Sequence, residues 1–136
     1  MEPMKSNAPP PADRSQWTCQ TGVNDLRDDA LAHLLVNVGE GLEYLRLRDC
    51  PHITDEGIRA VASTCPRLRE LDIGTQSYSV NITQQSLVHL SLARCASSLV
   101  YLGLRNLHRI GLHVGLSSIG TQFPGLRRLD LAELDC

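Results

Sequence analysis

Cysteine and histidine are the residues of this chain best suited to chemistry, and their spacing narrows what that chemistry could be. The five cysteines are Cys19, Cys50, Cys65, Cys95 and Cys136. Their odd number, with no apolar leader in Met1-Glu2-Pro3-Met4-Lys5, predicts reduced thiols in a reducing compartment. Cys50-x-His52 with Cys65 raises the question of a metal. Zinc clusters normally show close pairs such as Cys-x-x-Cys, and none is present here. The better reading is packing: Cys50 on a turn with its thiol on backbone groups, Cys65 and Cys95 as small buried apolar residues. Five scattered histidines make a chance Cys–His pair unavoidable, so none is assigned as a nucleophile and base. There is no Gly-x-Gly-x-x-Gly, phosphate-binding loop or Gly-x-Ser-x-Gly elbow. The chain therefore reads as a non-enzyme, with no cofactor and no metal expected. Asn81-Ile82-Thr83 fits a glycosylation pattern and reads as a plain loop asparagine.

Charge excludes further classes. Thirteen basic and 15 acidic residues leave a net −2, without the basic stripe that nucleic acid or an anionic membrane surface requires. No apolar run approaches the ~18 residues of a membrane span. A cytoplasmic or nuclear location is expected. Aromatic content is low, so a core must rest on Leu, Ile and Val.

Four near-copies of one phrase supply that core: Leu42-x-x-Leu45-x-Leu47, Leu68-x-x-Leu71-x-Ile73, Leu99-x-x-Leu102-x-Leu104 and Leu126-x-x-Leu129-x-Leu131. Their middle leucines follow one another at intervals of 26, 31 and 27 residues. That period and phrase predict an α/β leucine-rich-repeat solenoid of about four repeats, with short parallel strands on a concave face and helices on the convex one. Residues 1–20, with Ala8-Pro9-Pro10-Pro11-Ala12, read as a flexible tail in which Trp17 is the first residue to dock. Residues 21–136 read as the repeat domain. Within it, Leu26, Leu31, Leu34 and Leu35 have helical spacing, with Asp28 and Asp29 at the helix start and Gly39 and Gly41 at its end. That helix is predicted to cap the first strand.

A second helix is expected over Ile53–Thr64, with Thr54 as N-cap and Ile58, Val61 and Ala62 inward, stopped by Cys65-Pro66. A third is expected over Gln84–Ala96, with Leu87, Leu90 and Leu92 in the core, after a rim loop over Gly74–Val80. A fourth, weakened by Gly111, Gly115 and Gly120, carries Ile110, Leu112, Val114, Leu116 and Ile119. No helix follows the last strand, which predicts an uncapped edge for a neighbour to cover.

The segment Leu47-Arg48-Asp49-Cys50-Pro51-His52-Ile53-Thr54-Asp55-Glu56-Gly57-Ile58, followed by Ala60-Val61-Ala62-x-x-Cys65-Pro66-x-Leu68, resembles the cysteine-containing subclass of leucine-rich repeats. The resemblance covers about residues 23–136. The subclass is best known from F-box/leucine-rich-repeat substrate receptors of cullin ubiquitin ligases and from antagonist-of-mitotic-exit type proteins. The resemblance implies a protein-interaction module, with substrate recognition related to those ligases as its specific form. Only Cys50 keeps the cysteine at its place; Gln76, Leu107 and Leu134 fill the equivalent positions. No F-box is found before Leu42, so ligase-adaptor docking is not carried over.

Alternation along each strand sends Leu45 and its equivalents inward and the flanking residues outward. The outward set is Tyr44, Arg46 and Arg48; Glu70, Asp72 and Gly74; Tyr101, Gly103 and Arg105; and Arg128, Asp130 and Ala132. Tyr and Arg are enriched at binding hot spots. The candidate partner-binding residues are therefore Tyr44, Arg46, Arg48, Glu70, Asp72, Tyr101, Arg105, Arg128 and Asp130, and the expected partner is another protein. The second reading is a structural subunit of a larger assembly.

Overall fold

The computed structural model describes residues 15–18, 26–48, 50–74, 81–107, 110 and 119–132. The middle leucine of each phrase becomes the centre of a three-residue strand. Strands β1 (Gln16–Thr18), β2 (Tyr44–Arg46), β3 (Glu70–Asp72), β4 (Tyr101–Gly103) and β5 (Arg128–Asp130) form one sheet in sequence order. Every pairing is parallel, and Trp17, Leu45, Leu71, Leu102 and Leu129 stand side by side across it. Helices α1 (Asp28–Val38), α2 (Asp55–Thr64) and α3 (Gln84–Ser91) supply the crossovers that parallel strands need. Helix α1 packs on α2, and α2 on α3, so the helices repeat the order of the strands.

The apolar residues of the first three phrases close the core between the two layers. Leu42, Leu45, Leu47, Leu68, Leu71, Ile73, Leu99, Leu102 and Leu104 are all buried, as are Leu31, Leu35, Ile58, Val61, Leu87 and Leu90 from the helices. Cys50, Cys65 and Cys95 are buried free thiols in the same cluster. Cys50 Sγ donates to the Arg48 carbonyl at 3.6 Å, as its turn position predicts. Burial pushes the Cys65 thiol up, and pushes Cys95 up to about 11 with a further contribution from nearby Cys65. Residues 119–122 are helical, and Ile110, Ile119 and Phe123 are buried. The rest of the expected fourth helix, the rim loop beyond Gly74, Cys19, Cys136, Gln76 and Leu134 lie outside the described residues.

The coils are also joined by a ladder of carboxylates. Thr54 and Thr83 cap α2 and α3, their hydroxyls accepting from Glu56 N–H and Gln85 N–H at 3.2 Å. Each threonine is held by the aspartate that begins the preceding helix. Thr54 N–H donates to Asp28 Oδ1 at 2.8 Å and its hydroxyl to Oδ2. Thr83 N–H donates to Asp55 Oδ1 at 2.8 Å, its hydroxyl to Oδ2 at 2.6 Å, and the Ser86 hydroxyl to Oδ1 at 2.6 Å. Gly57 makes room for this stitch, since a Cβ there would lie 2.4 Å from Asp28 Oδ1 and 2.9 Å from Ile53 Cγ2.

Two expectations need correction, and one helix starts later than expected. The predicted flexible tail over residues 1–20 reaches too far: Gln16–Thr18 pair in parallel with Tyr44–Arg46, and Ser15 O accepts from Glu43 and Tyr44 N–H at 2.8 Å. The first strand is thus β1, followed by α1, and the sheet holds one strand more than the four phrases. The third helix ends at Ser91, not Ala96. Leu92 is 82% exposed because it lies two residues, about 200° of helical rotation, beyond inward-facing Leu90. Ala93 then turns extended, and Cys95 and Ala96 reach the core from a 3₁₀ turn over Arg94–Ser97. Helix α2 starts at Asp55, two residues later than the expected Ile53.

Candidate functional site

Side chains on either side of the buried leucine row form the open face of the sheet. Parallel register aligns them into two rows, Gln16–Tyr44–Glu70–Tyr101–Arg128 and Thr18–Arg46–Asp72–Gly103–Asp130. A third row, past the strand ends, holds Arg48, Gly74, Arg105 and Ala132. Short strands on a packed core fix the backbone from which these side chains project.

Six of the nine expected residues converge. Arg46, Arg48, Glu70, Asp72, Tyr101 and Arg128 line one depression of about 410 Å³. Tyr44 lines an adjoining hollow of about 230 Å³ with Gln16, Thr18, Arg46 and Glu70. Asp130 and Arg105 line neither. Asp130 Oδ1 accepts from Ala132 N–H at 3.0 Å, and Asp72 Oδ1 accepts from Gly74 N–H at the same distance. Both aspartates therefore close the turn that follows their strand. Arg105 is half-buried, and its Nε has no hydrogen-bond partner.

The depression mixes satisfied and unsatisfied charge. Arg48 Nε lies 3.4 Å from buried Asp72 Oδ2. The Arg128 guanidinium sits 4.9 Å above the centre of the Tyr101 ring, within cation–π range. Burial pushes the Tyr101 hydroxyl pKa up, assisted by Asp72 and Asp130 and opposed by Arg48 and Arg128. The hydroxyl therefore remains a neutral donor near pH 7. Arg46 and Glu70 make no ion pair among the described residues.

Three contributors are not among the candidate residues, although alternation already placed Gly103 on the outward face. Gly103 keeps space open: a Cβ there would lie 2.6 Å from Asp72 Oδ1 and 2.9 Å from the Tyr101 hydroxyl oxygen. Glycine on a strand often marks such a close approach, and that signal was present. Gln16 and Thr18 join the face through β1. Their signal was polar–aromatic–polar alternation around Trp17, faint over three residues. The buried thiols of Cys50, Cys65 and Cys95 and exposed His52 lie outside the depression. Among the described residues, no group of three His, Cys, Asp or Glu side chains could hold a metal ion.

No family model matches the chain. Among solved structures, a chain in the crystal structure of the Rad7 and Elc1 complex in yeast is similar at a TM-score of 0.44 and 19% identity, over 78% of this chain and 33% of that one. This chain thus spans about a third of that protein's length. At this distance the likeness carries no argument about activity or partner. The class rests on the fold itself: an α/β protein whose five parallel strands and intervening helices follow one another in sequence, consistent with a leucine-rich-repeat-like arrangement. Among the described residues no helix is long and apolar enough to cross a membrane.

Proposed function

We propose that this chain is a leucine-rich-repeat solenoid that binds another protein on the concave, open face of its sheet and is not an enzyme. The observation that supports this best is the convergence of Arg46, Arg48, Glu70, Asp72, Tyr101 and Arg128 on one depression over a packed core. Tyr there carries a donor and stacking surface at low cost in conformational freedom, and Arg adds charge and paired donors, the composition of binding hot spots. By the resemblance carried by residues 47–68, the partner is a substrate or regulator within cullin-type ubiquitin ligation, met in the cytoplasm or nucleus.

The test is the double substitution Arg46→Ala with Tyr101→Ala in the full chain, followed by quantitative mass spectrometry of co-purified proteins. The expected result is loss of the wild-type partners at a nearly unchanged melting temperature. An unaltered partner set rejects the reading.

One observation favours a second reading, as a subunit of a larger assembly. Leu126, Leu129 and Leu131 are only half-buried, whereas their equivalents Leu99, Leu102 and Leu104 are fully buried. A further polypeptide segment over β5, such as a neighbouring subunit supplies, would complete their burial. A chain insoluble until co-expressed with a neighbour supports this subunit; a monodisperse monomer supports the free-standing binder.

A further inference from the structure

The chemistry of the partner can be read from the unbalanced charge of the depression, given that the open face is the binding face. Of its three guanidinium groups, Arg48 is matched to Asp72 at 3.4 Å. Arg128 has the Tyr101 ring at 4.9 Å and no ion pair among the described residues. The Arg46 side chain is exposed, with neither ion pair nor hydrogen bond among the described residues. Glu70 is the remaining carboxylate. The lining itself carries one positive charge in excess, held by two arginines from β2 and β5 that reach the same hollow, with the Asp130 carboxylate, tied to the Ala132 N–H, just outside it.

We propose that this depression takes one carboxylate-bearing side chain, an aspartate or glutamate of a protein partner, seated between Arg46 and Arg128 with its stem against the Tyr101 ring. A guanidinium offers paired N–H donors that match a carboxylate, and the match is strongest where neighbouring aromatic surface excludes water. The Tyr101 hydroxyl supplies a further neutral donor. A monoanion balances the excess charge. A phosphate would bring a second negative charge against Glu70 and Asp72 on the floor, which disfavours a phosphorylated partner. Gly103 keeps the Asp72 and Tyr101 groups where this geometry needs them.

The experiment pans a phage-displayed random dodecapeptide library on the immobilised full chain. Selected peptides are then titrated against wild type, Tyr101→Ala, Arg46→Gln/Arg128→Gln and Arg46→Glu/Arg128→Glu, each checked for fold by circular dichroism. Selected peptides should carry an Asp or Glu whose exchange for Asn or Gln weakens binding about tenfold, the level at which a contact counts as a major contributor. The Gln variant should lose the same factor, and the charge-reversed variant should not bind them. Phosphoserine in place of the acid should bind no tighter.

Peptides lost on Tyr101→Ala but indifferent to their own acidic residue overturn this inference and leave the binding face standing. Peptides indifferent to every face variant, or a library that yields no binder, overturn both. Tighter binding of the phosphoserine peptide replaces the carboxylate with a phosphate.

Discussion

Asp55→Ala removes one carboxylate and, with it, the three hydrogen bonds that tie α3 to α2. Thr83 is half-buried, so its N–H and hydroxyl can turn to water once the carboxylate is gone. Its cap on α3 then loses its fixed orientation, a loss of about 1 kcal/mol. Ser86 is different. It is fully buried, so losing its carboxylate acceptor away from water costs about 2 kcal/mol. Together the substitution should destabilise the chain by about 3 kcal/mol, lowering the melting temperature by roughly 10 °C. At a urea m-value of about 2 kcal/mol/M, the midpoint should fall by about 1.5 M.

Equilibrium urea unfolding of three further variants isolates the cause. Glu56→Ala removes only the exposed pair with Arg59, so it should cost under about 0.5 kcal/mol. Ser86→Ala should cost about 1 kcal/mol alone and nothing, or less, on the Asp55→Ala background, because the orphaned hydroxyl is then gone. A cost for Asp55→Ala below about 1 kcal/mol, or equal costs for Ser86→Ala on both backgrounds, would refute the stitching argument.

Gly103→Ala should push the Asp72 carboxylate and Tyr101 hydroxyl out of place, since the new methyl would lie 2.6 and 2.9 Å from them. Titration should show partner affinity falling about tenfold, with a stability cost of roughly 1–3 kcal/mol by calorimetry, as expected for overpacking; unchanged affinity would show that these two groups do not shape the site. The Cys95 thiol gives a pH dependence of definite sign. Its folded pKa is raised from 9.0 to about 11, so its contribution is intact below pH 9 and is lost as pH rises towards 11. The loss is roughly 2–3 kcal/mol over that window. Urea midpoints measured from pH 8 to 11 should fall, and should fall less steeply in Cys95→Ala; equal slopes would contradict it. Leu92→Lys should change stability by no more than about 0.5 kcal/mol, because the side chain is 82% exposed. A loss of 2 kcal/mol or more in the same unfolding assay would place Leu92 back in the core.

The strands were legible because the phrase repeats the same inward pair at one spacing, and one buried face admits one register. Leu45, Leu71, Leu102 and Leu129 line up as that spacing requires. Strand β1 was not legible. Three residues around a lone tryptophan carry too little pattern, and their pairing is decided by the sheet edge they meet. The end of α3 was misread because Leu92 looks like another core leucine, although its angle from Leu90 places it on the outer side. On the open face, alternation identified which residues point outward. It could not show that Arg128 folds over Tyr101 while Arg105 stays out of the depression, since side-chain reach depends on three-dimensional neighbours. The Asp–Thr ladder was written in the chain as Thr54-Asp55 and Thr83 with Asp28. Its meaning needed the helices to be stacked before the two halves of each bond came together.

Gln84 begins α3 where Asp28 begins α1 and Asp55 begins α2, and it lies exposed. A neutral amide cannot offer two charged acceptor oxygens to the next coil, so among the described residues the seam of carboxylates stops at this helix. Amide hydrogen exchange should therefore divide the chain unevenly. Helices α1 to α3 should open as one cooperative block, while residues 119–132, which no described carboxylate ties to α3, fray at lower free energy. The partner's anchor point straddles that boundary, with Arg46 on the firm side and Arg128 on the loose one. Ligand binding should then slow exchange most in β5, fastening the softer end to the stiffer.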